Sequence, residues 1–129
     1  MSTRTQSYRR AALDHFEPEV SDDPQVQRKL RGYLEQIDYT AFASNREVIG
    51  QILGQADAAR FQRLAIASAT ARARWVAAAL TAADASQAPS TADIARLADQ
   101  RAAYEELSEA YEALRRMVER GYLAFTPAK

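Results

Sequence analysis

From Ser44 to Ala85 the chain runs without a proline. Wound as one helix, such a stretch is about 60 Å long at 1.5 Å per residue. That exceeds the width of a single domain of this size, so the stretch has to serve as the spine of a bundle or the arm of a coiled coil. It opens with Ser44-Asn45-Arg46-Glu47, a Ser-x-x-Glu in which the Ser44 hydroxyl can accept from the Glu47 N–H and Glu47 can reach back. Leu53, Leu64 and Trp75 recur every eleven residues, close to three full turns, and so line one side. Phe61, Ile66, Val76 and Leu80 widen that stripe. A continuous helix is expected over 44–85. Its weak point is Gly54-Gln55-Ala56-Asp57, where Gly54 is suited to end one segment and Asp57 to cap another.

The flanking segments read as helices too. Pro24 is a favourable first helical residue behind the cap Asp23. Val26, Leu30, Tyr33, Leu34 and Ile37 then define an apolar face. This first helix is expected to end near Asp38, with 39–43 as a connection carrying Phe42. Residues 1–23 read as an arm with a partly helical pattern at Tyr8, Ala12, Leu13 and Phe16, and with acidic residues around Pro18. After the break at Ser86–Pro89, Ser90-x-x-Asp93 opens a third helix. Leu97, Tyr104, Tyr111 and Val118 fall seven apart, with Leu107 and Leu114 at the paired positions, which is an a/d seam. Arg115, Arg116 and Arg120 suit its negative end. Gly121 is placed to end it, with Tyr122 touching Met117 as in a Schellman motif. Residues 24–123 read as the bundle and 124–129 as a tail.

A short loop makes the second and third helices antiparallel. Folding about residue 88 puts Tyr104 near Arg72 and Tyr111 near Ala65, opposite the alanines at 65, 67, 69, 71 and 73. Arg60, Arg63, Arg72 and Arg74 would then face Glu105, Glu106, Glu109 and Glu112, and interhelical ion pairs are expected. The same register leaves Val48, Ile49, Ile52 and Leu53 beyond the hairpin. An uncovered apolar cluster marks an interaction surface. Gly50 and Gly54, on one helix face, read as a place where a backbone or a bulky side chain comes close.

Composition removes several chemistries. With no cysteine, disulfides and thiolate metal sites are unavailable. Seventeen basic and seventeen acidic residues cancel, so bulk attraction to nucleic acid or anionic membrane is not expected. No apolar run reaches membrane-spanning length, and the start of the chain lacks a signal-like apolar segment, which makes a cytoplasmic setting the expectation. Lys29 and Lys129 are the only lysines among many arginines, a bias that fits a GC-rich bacterial genome.

Three motifs bear on sharper chemistry. Glu105-Glu106-x-x-Glu109 resembles half of the magnesium-binding signature of the all-α nucleotide pyrophosphohydrolases of the MazG type. That family pairs it with an E-x-x-D on a later helix; here Glu35-x-x-Asp38 lies upstream. The seam also turns these glutamates outward, whereas magnesium needs convergent carboxylates. His15 is the single histidine and assembles no ligand set or base–acid pair. Val48 to Leu64 fits a helix-turn-helix poorly, but Arg60, Arg63, Arg72 and Arg74 offer an alternative nucleic-acid face.

The expected fold is all-α: a long antiparallel hairpin with a shorter N-terminal helix packed across it. The expected role is a small bacterial protein-interaction module (adaptor, chaperone or assembly subunit) that self-associates, has no cofactor and is not an enzyme. The candidate surface is Val48, Ile49, Gly50, Ile52, Leu53 and Gly54.

Overall fold

The computed structural model describes residues 22–129. Along the chain come α1 (Pro24–Leu53), β1 (Ala56–Asp57), α2 (Ala58–Asp84), α3 (Thr91–Glu119) and β2 (Phe125–Thr126). The fold is all-α, and its centre is the hairpin of α2 and α3. Two compact units are present, Met1–Thr40 and Ala41–Lys129. His15 and most of the expected arm, including Tyr8 to Phe16, lie outside the described residues.

α1 starts as its sequence dictates. The Asp23 carboxylate accepts from the Gln25 N–H at 2.9 Å, and the Asp23 carbonyl accepts the first helical bond, from Gln27 N–H, at 3.0 Å. The expected connection at 39–43 is absent, because α1 runs through it to Leu53. Within the helix, Thr40 Oγ1 donates to the Gln36 carbonyl and Asn45 Nδ2 to the Ala41 carbonyl, both at 2.9 Å. Ser44 is therefore mid-helix and caps nothing.

The expectation of one helix over 44–85 is likewise corrected, since the break falls at 54–57. Gly54 sits at φ +76°, and its N–H bonds the Gly50 carbonyl at 2.8 Å. The carbonyls freed on either side of it find a partner: Arg60 Nη1 donates to Leu53 O and Gln55 O, each at 2.7 Å. Asp57 then caps α2, its Oδ1 accepting from the Arg60 N–H at 2.8 Å.

α3 opens with the full reciprocal box. Ser90 Oγ accepts from the Asp93 N–H at 3.1 Å, and Asp93 Oδ2 accepts from the Ser90 N–H at 2.9 Å. It closes with the expected Schellman pattern: Tyr122 N–H to Met117 O at 2.8 Å and Gly121 N–H to Val118 O at 3.0 Å, with Gly121 at φ +80°. Between these ends the hairpin register follows the sequence. Ser68 and Ser108 share a hydrogen bond at 2.9 Å, and Arg72 lies 5.7 Å over the Tyr104 ring. Leu97, Tyr104, Leu107, Tyr111, Leu114 and Val118 are all half-buried, so the seam faces α2. Trp75 stacks on Tyr104 at 5.9 Å, and the Arg101 guanidinium lies 5.8 Å from the centre of the Trp75 ring.

The tightest packing lies at the open end. β1 and β2 pair in parallel, Ala56 with Phe125 and Asp57 with Thr126, and Ala56 and Leu123 are the buried apolar residues. Phe61 meets Tyr111 and Phe125 edge-on at 5.7 Å each. From unit two's side of α1, Phe42 meets Tyr122 at 5.6 Å. Among the described residues, no helix is long and apolar enough to cross a membrane.

Candidate interaction surfaces

Val26, Leu30, Tyr33, Leu34 and Ile37 recur at the spacing of one helix face and are between 46% and 62% exposed. The sequence identifies them as an apolar face; in the structure that face stays open to solvent. Singly exposed leucines are ordinary, but a contiguous stripe is not.

Within the second unit the expected cluster divides. Ile49 and Leu53 are half-buried. Ile49 shares a cleft with Ala113, Met117 and Tyr122, so the end of the hairpin covers it. Val48 and Ile52 face outward, 52% and 75% exposed. Of the two glycines, Gly54 is explained by its positive φ. A Cβ built at Gly50 would meet nothing within 4 Å among the described residues, so none of their backbones approaches it.

A second feature was not legible in the sequence. An apolar groove of about 570 Å³ opens between α2 and α3 next to the β bridge. Leu64, Ala67, Ala110, Ala113, Leu114 and Met117 form its walls. Its rim holds Arg60 and Arg63 and no acid. The alanines make it shallow, and their spacing was visible, but which of the hairpin's two sides stays open depends on where α1 and β2 dock.

The arginine face departs from expectation. Among the described residues no arginine of α2 pairs with a glutamate of α3; the two ion pairs, Arg101–Glu105 at 2.9 Å and Arg96–Asp93 at 4.0 Å, lie within α3. The reason is side-chain direction. Arg60 turns to the carbonyls of Leu53 and Gln55 at the break after α1, and Arg72 turns over Tyr104. Arg63 and Arg74 are exposed with no ion-pair partner among the described residues. Glu105, Glu106, Glu109 and Glu112 are exposed on α3. No group of three or more His, Cys, Asp or Glu among the described residues is close enough to share a metal ion. Asp93 is the carboxyl held below its ordinary pKa, by hydrogen bonds from the Ser90 backbone and then its hydroxyl, with a smaller contribution from Arg96.

No family model, no curated protein and no solved structure matches this chain.

Proposed function

We propose that the protein is a self-associating helical interaction module, an adaptor, chaperone or assembly subunit of the bacterial cytoplasm, without a catalytic role. The observation that carries this reading is the exposed stripe of Val26, Leu30, Tyr33, Leu34 and Ile37. Val48 and Ile52 extend the apolar surface offered to a partner. Burying the exposed half of five such side chains is worth about 4–7 kcal/mol. Two stripes together contribute about 8–15 kcal/mol, of the same order as the cost of association. A dimer built on stripes alone is therefore weak, and partner binding competes with self-association for the same face. Light scattering on the wild type and on Ile37→Asp tests the reading. A dimer mass for the first and a monomer mass for the second are expected; a monomeric wild type at high micromolar concentration contradicts it.

One observation favours a second reading, a nucleic-acid-binding regulator: Arg63 and Arg74 are exposed and lack an ion-pair partner among the described residues. Two phosphate contacts give a salt slope of about two in log–log terms, which is too few for tight binding at physiological salt. Fluorescence anisotropy with random duplex DNA separates the readings. A submicromolar constant at physiological salt that collapses on Arg63→Glu replaces the module with the regulator.

A further inference from the structure

The groove beside the β bridge is lined entirely by residues of the second unit, and its two kinds of lining point to one kind of ligand. Ala56 and Leu123, the buried apolar residues, line it where β1 meets β2. Leu64, Leu114 and Met117 add aliphatic and thioether surface, and no aromatic ring is among the lining residues. A ring-bearing ligand gains most by stacking on rings. Leucine, alanine and methionine walls suit a flexible saturated chain instead. At about 570 Å³ the groove has the size of a small-molecule site, about 300–1,000 Å³. Along α2 it runs from Arg60 to Ala67, about 10 Å of helix. A C–C bond of about 1.5 Å advances an extended alkyl chain by about 1.3 Å per carbon, so this length takes roughly eight carbons. One short alkyl chain fits; the paired long chains of a membrane lipid do not.

The polar lining selects the head group. It consists of Arg60, Arg63 and Gln55, so cations stand at the rim and no anion does. Arg60 is held in place, because its Nη1 donates to Leu53 O and Gln55 O, each at 2.7 Å. Its Nε and Nη2 make no hydrogen bond among the described residues. Arg63, one turn further on, has no ion-pair partner among them. A pinned guanidinium beside a free one offers paired N–H donors in the fork that a carboxylate accepts. We propose that this groove binds a free medium-chain fatty acid, its carboxylate at Arg60 and Arg63 and its alkyl chain along Leu64, Leu114 and Met117. The stripe on α1 has no part in this site, so the proposal does not rest on the self-association reading.

Isothermal titration calorimetry of the full chain with sodium hexanoate, octanoate, decanoate and dodecanoate, each below its critical micelle concentration, tests it. One-to-one binding is expected. It should tighten about two- to fourfold per added methylene, the range for half to full burial of a CH₂ group, and level off near decanoate, where the alkyl chain outgrows the groove. Octyltrimethylammonium has a chain of similar length and the opposite charge, and should bind roughly tenfold more weakly than octanoate because the charge-assisted pairing is lost. Arg63→Glu should weaken octanoate roughly fivefold, the scale of one exposed ion pair. Ala110→Trp fills the groove from an exposed position and should abolish binding. Circular dichroism and cooperative melting establish that this variant is folded, and Ala113→Trp replaces it if it is not. Leu34→Asp, on the α1 stripe, should bind octanoate as the wild type does. An absence of saturable binding at every length overturns the proposal, as does equal binding of octyltrimethylammonium. Binding that survives Ala110→Trp, or that is lost in Leu34→Asp, puts the ligand elsewhere and overturns it too. The oligomer mass from light scattering is a separate readout, so the two readings fail separately.

Discussion

Gly50→Ala and Gly54→Ala make the same change four residues apart and should act with opposite sign. Gly50 lies inside α1 with helical backbone, and a Cβ there meets nothing within 4 Å among the described residues. Replacing it removes the entropic cost of a helical glycine, so the variant should gain about 0.5–1 kcal/mol. Gly54 also has open space around it, but its φ is +76°. A Cβ in the left-handed region costs about 1–2 kcal/mol. A less flexible unfolded chain returns about 0.4–1 kcal/mol of that. The net expectation is a loss near 1 kcal/mol, so the variants should differ by about 2 kcal/mol. That corresponds to melting temperatures roughly 6–10 °C apart for a chain of this length. Thermal and urea unfolding at one fixed protein concentration measure it. If Gly50→Ala destabilises, a partner backbone passes over that position and the seat of self-association lies there, not on the stripe. If Gly54→Ala is neutral, the break between α1 and α2 is not set by backbone conformation.

The hairpin seam is tested by Leu107→Ala, which should cost about 1–3 kcal/mol for a half-buried leucine, while Glu109→Ala and Glu112→Ala should each cost well under 1 kcal/mol. Comparable losses in urea melts would place the glutamates at the interface after all. Arg72→Ala should lose less than about 1 kcal/mol, the scale of an exposed cation–π contact, and should alter the near-ultraviolet signal of the Trp75–Tyr104 stack. Asp93 has a depressed folded pKa, so its contribution to stability is complete above the ordinary carboxylate pKa and is lost as pH falls through the folded value. The acid limb of the melting profile should therefore flatten in Asp93→Asn; an unchanged profile would mean that the Ser90–Asp93 box does not form in solution.

Features fixed by near neighbours along the chain were readable. Asp23, Asp57 and Ser90 cap because their side chains reach amides two or three residues ahead, and Gly121 ends α3 for an equally local reason. The heptad at Leu97, Tyr104, Tyr111 and Val118 fixed the phase of α3, and loop length then fixed the register that joins Ser68 to Ser108. The errors came where distant groups decide. The 54–57 break is held by Arg60 and by the Ala56 N–H bonding Ala124 O at 3.1 Å, a contact across most of the second unit. The helix through 39–43 persists because Thr40 and Asn45 bond backwards, a choice that their residue types leave open. The arginines and glutamates were placed in the right turns, but register does not say which way a long side chain swings. The stripe was legible as a pattern, since periodicity shows that a face is apolar and not what covers it.

The melting temperature of the wild type over a hundredfold range of protein concentration tests the central claim most directly. If folding is coupled to pairing through the α1 face, each decade of concentration adds about 1.4 kcal/mol to the dimer. The midpoint should then rise by about 5 °C or more across the range, and Leu34→Asp should abolish the rise. A wild-type midpoint that does not move with concentration would contradict the account.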